Sequence, residues 1–418
     1  MELPTTKTRD ELQKEALNLA KENKNIALEW ATGLGKSKTA IDIINYTASL
    51  KPNGGLLRCL LVVAETAHKE NWNKEFKKWG LQSTVIVECY ASLKNYFNTS
   101  WDLLILDEAH HTSSELRQDI LSTIKSERVL LLSATLGEDN LLNMGLIFGE
   151  FKVHRVTLRQ AIKYNIIPQP KVYLIPMELN NTAYNQEVIE EWGRKEKRVE
   201  ISCNYEERWG YIRNKYKFPN VTLKMKCTEA QAYDYVDSKV TYWKNRYFIS
   251  RLPFMKVKWT QAGSVRKRML GELKTECAKV LLDKIKMYRY ICFCASINQA
   301  KELGESHAIY SGKSDSQELI DKFNSGKINN LLAVGMLQEG ENLKDIQMGV
   351  IIQLDGKERL YIQKSGRTLR AKEPIQYIFY FKNTRDEEFL NKILLTIDKK
   401  YVTSIIDLQH YEVEDNEQ

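Results

Sequence analysis

Short runs of consecutive apolar residues alternate, in the first third of the chain, with stretches in which apolar positions recur every three or four residues. The runs lie at Ile26 to Trp30, Cys59 to Ala64, Thr84 to Cys89, Leu103 to Asp107 and Val129 to Ser133, and their length and continuity predict strands buried on both faces. Helices are predicted between them, at Asp10 to Lys21, His68 to Trp79 and Glu115 to Lys125, and from the periodic set Ala40, Ile41, Ile43 and Ile44. The pattern loosens after Thr135, and Pro168 and Pro170 read as an interlobe linker. Two stretches near Thr228 to Phe248 and Val265 to Tyr288 read as helices. A second alternating set then begins, at Tyr290 to Ala295, His307 to Tyr310, Leu331 to Gly335, Val350 to Leu354 and Gln376 to Phe381. The expected architecture is α/β, with two tandem parallel-sheet lobes. The first covers residues 1–165, a linker and basic, mainly helical insertion covers 166–288, and the second lobe covers 289–418.

Composition narrows the class. A chain of 418 residues has room for two or three domains at about 150 residues each. With 43% apolar and 28% charged residues it reads as globular rather than disordered. No apolar run approaches the roughly 18 residues of a membrane span, and Met1 to Asp10 carries charges where a secretory leader would be apolar. A cytoplasmic protein with no membrane partner is expected. The seven cysteines form no C-x-x-C pair, which argues against a disulfide framework and a zinc ribbon.

The net charge of +8 is unevenly placed. Between Glu191 and Tyr290 there are 24 Lys and Arg against 11 Asp and Glu, interleaved with Trp192, Trp209, Tyr242, Trp243, Tyr247, Trp259 and other aromatics. Such a surface suits a phosphate backbone and stacked bases, although a helical segment with aromatics in its core and lysines in water has the same composition. Arg266, Lys267 and Arg268 are the candidate nucleic-acid contacts.

Two motifs carry candidate chemistry. In "ATGLGKS", Thr32, Gly33, Leu34 and Gly35 form a turn able to aim backbone N–H groups at phosphates, Lys36 is a point charge for the β and γ phosphates, and Ser37 offers a hydroxyl to magnesium. Trp30 stands where the strict phosphate-loop template has its first glycine. "LLILDEAHH" ends an apolar strand in two adjacent carboxylates. Asp107 there suits a magnesium ligand, and Glu108 suits the group that orients and deprotonates an attacking water.

These motifs and three others, in this order, resemble the superfamily 2 helicases and translocases. "ATGLGKS" is similar to that family's motif I, "DEAH" to motif II, "SAT" (Ser133 to Thr135) to motif III, "MLQEGENLKD" (Met336 to Asp345) to motif V and "QKSGRTLR" (Gln363 to Arg370) to motif VI. The resemblance implies two RecA-like lobes, ATP and Mg2+ as cofactors, and nucleic acid as partner, DNA preferred over RNA. It implies Lys36, Asp107, Glu108, Gln363, Arg367 and Arg370 as the catalytic set, and Gln13 as an adenine reader. Gly340 and Asn342 would join the nucleotide to the nucleic acid, Asn342 standing where the family often has Asp. His110, Ser133 and Thr135 would couple the lobes. Trp72, Glu75, Phe76 and Trp79 resemble the W-x-x-E-F-x-x-W pattern of Swi/Snf-type translocases, although Trp72, Phe76 and Trp79 also form an ordinary core-facing helical stripe. A bacterial or phage origin fits the Lys-, Asn- and Ile-rich style. The implied function is an ATP-dependent DNA helicase or translocase; an RNA helicase and a non-hydrolysing nucleic-acid-binding module on the same fold are the alternatives.

Overall fold

The computed structural model describes residues 6–310, 315–335, 343–355, 371, 373–395 and 397–413. Its first lobe runs through α1 (Arg9–Glu22), β1 (Asn25–Trp30), α2 (Lys36–Ser49), β2 (Cys59–Val63), α3 (Thr66–Lys78), β3 (Val85–Cys89), β4 (Ser100–Leu106), α4 (Glu115–Thr123), β5 (Lys125–Ser133), α5 (Glu138–Phe148), β6 (Lys152–Val156) and α6 (Leu158–Lys163). The six strands form one parallel sheet in the order β3-β2-β4-β5-β1-β6. Strand β2 shows why its sequence is apolar throughout. Cys59, Leu61 and Val63 face one core, Leu60 and Val62 the opposite one, as the two-residue period of a strand between two helical layers requires.

The chain then enters the second sheet earlier than the proline-marked linker suggests. Strand β7 (Lys171–Met177) lies between β15 (Ile375–Phe381) and β16 (Val402–Ser404) and is parallel to both. The second lobe therefore takes residues from both sides of the insertion. The flanking prolines and a pairing partner some two hundred residues away hid this strand from local pattern. With β11 (Tyr290–Phe293), β12 (Ala308–Tyr310), β13 (Asn330–Val334) and β14 (Met348–Ile351), the sheet has seven parallel strands, β12-β13-β11-β14-β15-β7-β16, and again separates two cores: Ile291 and Phe293 face one, Tyr290 and Cys292 the other.

The insertion is mainly helical, and it also holds a small sheet. Strands β8 (Gln186–Trp192), β9 (Val199–Asn204) and β10 (Val221–Cys227) form a separate three-stranded sheet with the short α7 (Arg208–Arg213) between β9 and β10. In β10 only every second residue is apolar, and Val221, Leu223, Met225 and Cys227 face a small core of their own. Two long helices follow, α8 (Glu229–Ser250) and α9 (Pro253–Glu272). The turn between them needs Arg251 in the left-handed region (φ 56°) and starts α9 with Pro253 at its first position, where proline costs no hydrogen bond.

The stretch read as one helix from Val265 breaks after α9, and α10 (Thr275–Lys284) starts anew. Lys274 at the break is fully buried; its ammonium pairs with Asp386 at 2.5 Å and donates to the Ile352 and Phe379 carbonyls. Where α9 ends, a Cβ on Gly271 would lie 2.1 Å from that of Ala295, so only glycine lets the helix seat this closely on the second lobe. The remaining elements are α11 (Ile297–Gly304), α12 (Ser316–Asn324) and α13 (Arg385–Leu394). Five of the seven cysteines are buried, and none is in a disulfide. No helix among the described residues is long and apolar enough to cross a membrane.

Candidate nucleotide site and nucleic-acid surface

Strands β4, β5 and β1 are neighbours in the first sheet, so their C-terminal ends bring "DEAH", "SAT" and "ATGLGKS" to one edge, where ligands sit in open α/β sheets. Past Trp30 the chain turns into α2 through Gly33 and Gly35, with φ of 93° and 88°. At Gly35 a Cβ would also stand 2.3 Å from Gln13 Nε2. Gln13 reaches the loop from α1 and donates to the Leu34 carbonyl at 3.3 Å, while the Leu34 side chain is buried in the lobe core. Trp30 is buried too, and its indole donates to His154 Nδ1 at 2.8 Å. The ring occupying the place of the template's first glycine therefore lies in the core. Lys36 opens α2 and donates to the Trp30 carbonyl at 2.9 Å. Ser37 follows on the first turn, where helix N–H groups favour an anion.

Asp107 follows β4 and is held from three sides. Its N–H donates to the Val62 carbonyl at 2.8 Å, Tyr90 Oη donates to its carbonyl at 3.0 Å, and the Trp72 indole donates to Oδ2 at 2.8 Å. Glu108 takes a left-handed conformation (φ 46°), and its N–H donates to Asp107 Oδ1 at 3.0 Å. Burial, with the neighbouring Glu108 charge, pushes the Asp107 carboxyl up to about 6; the Trp72 indole and the Lys36 ammonium oppose that rise. A buried carboxylate held near neutrality, with a lysine from the loop in electrostatic reach, fits a divalent cation better than an isolated surface acid would.

His110 Nδ1 stands 3.4 Å from both Ser133 Oγ and the Glu108 carboxylate. Ser133 Oγ donates to the Thr135 carbonyl and accepts from the Thr135 N–H. Motifs II and III thus form one polar cluster. It is braced by Asn140, which donates to the Ala109 carbonyl and accepts from Thr112. Sequence reasoning missed Tyr90, Asn140 and the role of Trp72. The tryptophan stood out in its pattern, but nothing local says that its N–H meets a carboxylate 35 residues away.

The remaining candidates divide. Gly340, Asn342, Gln363, Arg367 and Arg370 lie outside the described residues. Of the basic run on α9, Arg266 and Lys267 are turned inward. The Arg266 guanidinium is buried against Asp237, and Lys267 pairs with Asp355 at 2.6 Å. Their contact role is corrected accordingly, because three consecutive residues of a helix point in three directions and two of these meet the protein. Arg268 faces out. With Lys256, Thr260 and Ser264 it lines an open groove of about 510 Å³ along one side of α9.

Fold and site together define a two-lobed, nucleotide-hydrolysing motor protein. Residues 5–97 match the family described as the type III restriction enzyme res subunit, and residues 273–372 match the helicase conserved C-terminal domain. The DNA 3'-5' translocase XPB2 of Sulfurisphaera tokodaii is 22% identical over 389 residues, covering 86% of this chain and 78% of that protein. Among solved structures, S. cerevisiae Dbp5 bound to RNA and ADP BeF3 has the same fold, with a TM-score of 0.57 at 12% identity over 94% of this chain and 89% of that one. These matches support a helicase of superfamily 2, a nucleic-acid-dependent ATPase.

Proposed function

We propose that this protein is an ATP- and Mg2+-dependent translocase of the Swi/Snf type that moves along DNA. The observation that carries the reading is the meeting of Lys36 and Ser37 with Asp107 and Glu108 at the ends of β1 and β4, on either side of β5, with Asp107 oriented by Trp72. Lys36 and the N-terminus of α2 would bind the β and γ phosphates, Gln13 the adenine, and Ser37 with Asp107 the metal ion. Bound Mg2+ supplies charge neutralisation between those phosphates. Glu108 would orient the attacking water and accept its proton. Gln363, Arg367 and Arg370 would complete the site from the second lobe, so that closure of the lobes, sensed through His110, Ser133 and Thr135 and relayed by Gly340 and Asn342, gates hydrolysis. DNA is favoured as the track by the curated relative's stated DNA translocation and by the basic insertion. An intact Lys36, Asp107 and Glu108 set speaks against a module that only binds.

Displacement of a third strand from a DNA triplex tests this. ATP-dependent displacement is the expected result. Displacement from an RNA duplex alone would transfer the track to RNA, and phosphate release without displacement on either would contradict translocation.

A further inference from the structure

Helices α8 and α9 form a hairpin whose two arms are joined by the Arg266–Asp237 pair and which is rooted on the second lobe through the Lys267–Asp355 pair and the close seat of Gly271. Its far end is unlike the rest of the surface. Phe248, Ile249, Leu252, Phe254 and Val257 are all exposed there, Ile249 at 83% and Phe254 at 55%. Beneath them Tyr247 stacks on Trp259 with centroids 6.0 Å apart, Phe248 leans on the same indole, and the Arg251 guanidinium lies over the Phe248 ring at 4.9 Å. The rings are thus held in place by packing. From Ser238 to Gly271 the chain has nine Lys and Arg and no Asp or Glu.

From this juxtaposition of an exposed, packed apolar tip and a basic stretch free of carboxylates from Ser238 to Gly271, we infer that the hairpin tip is a stacking site for unpaired nucleobases. The inference rests on the nucleic-acid motor proposed above and names the part of the track that the insertion reads. A phosphate backbone alone gives no reason for five exposed apolar side chains, whose cost in water is high. A ligand that is both anionic and flat-faced accounts for the rings and the cations together. Base faces inside a duplex are already covered by their neighbours, so the tip selects single strands, ends and fork junctions. Arg251 and Lys256 stand beside it to take the adjoining phosphates, and the groove along α9 continues toward Arg268.

The full chain is tested on a forked DNA carrying 2-aminopurine at its first unpaired position and on the same sequence as a plain duplex. Wild type should quench the 2-aminopurine and prefer the fork. Phe248→Ala with Phe254→Ala should lose the quench and lower the fork-to-duplex affinity ratio by about tenfold. Ile249→Ser, at a side chain that is 83% exposed, should lower the same ratio in a protein of wild-type melting temperature. An unchanged ratio in both variants, with DNA binding and DNA-stimulated hydrolysis intact, would overturn the tip assignment and leave the motor standing. Binding of neither DNA by wild type would overturn the motor and the tip with it. Tip-dependent sedimentation with phosphatidylserine vesicles, without quenching of the fork, would assign the tip to a membrane surface and overturn the base-stacking claim.

Discussion

Lys36, Trp72 and Asp107 separate three kinds of contribution at one site. Lys36→Ala removes the charge aimed at the phosphates, together with the hydrogen bond to the Trp30 carbonyl. We expect hydrolysis to fall by about 10²–10³-fold while the melting temperature stays near wild type. Trp72→Phe keeps the ring packed on Phe76 and deletes the N–H that orients Asp107. Half-saturation with Mg2+ in the ATPase assay should then shift upward about tenfold, the usual size of a lost orienting bond, with folding intact by circular dichroism; an unchanged Mg2+ requirement would make Trp72 a packing residue only. Asp107 itself opposes folding near neutral pH. Its carboxyl rises from 3.8 in the unfolded chain to about 6 in the folded one, so the folded state holds the proton more tightly. Stability therefore falls as pH rises through 4 to 6, and stays at the lower level above that. Asp107→Asn removes this titration, and denaturant melts should show a stability that depends less on pH between 4 and 7 than that of wild type. The Gly-rich loop and the acid pair were legible in the sequence because each is local. The Trp72 and Tyr90 bonds to Asp107 were not, because they depend on which strands become neighbours.

At the scale of elements, legibility followed the period of the apolar residues. Strands β1 and β2 were read within one residue of their ends, whereas β4 and β5 begin three and four residues before their apolar runs, in segments that are partly polar. Strand β7 was missed because two prolines precede it and its partners are supplied from the far end of the chain. The three strands of the insertion were missed because charged residues break their apolar runs, glutamates in β8 and β9 and Lys224 and Lys226 in β10. Helix α9 was recognised in part, but not its facing. Charge counting treats Arg266, Lys267 and Arg268 alike, whereas the helical period sends only the last to the open groove. The distinction is measurable. Arg266→Ala strands the Asp237 carboxylate and should cost about 1–3 kcal/mol of stability. Lys256→Ala with Arg268→Ala should leave stability unchanged and reduce the slope of log K against log salt on duplex DNA by about two. Equal salt slopes in that variant and wild type would remove α9 from the phosphate track.

At the scale of the molecule, each lobe closes its own pair of cores, and the insertion is pinned to the second lobe by Lys274, Gly271 and the Lys267–Asp355 pair. Any movement of the second lobe against the first must therefore carry the α8–α9 hairpin with it. That is the mechanical basis of the proposed motor: nucleotide chemistry at the edge of the first sheet, and a nucleic-acid grip that travels with the second lobe. The most direct test is phosphate release from ATP with and without duplex DNA, in wild type and in Glu108→Gln. The account requires turnover that rises severalfold or more with DNA and is abolished by the substitution. Release that ignores DNA, or that survives in Glu108→Gln, would contradict it.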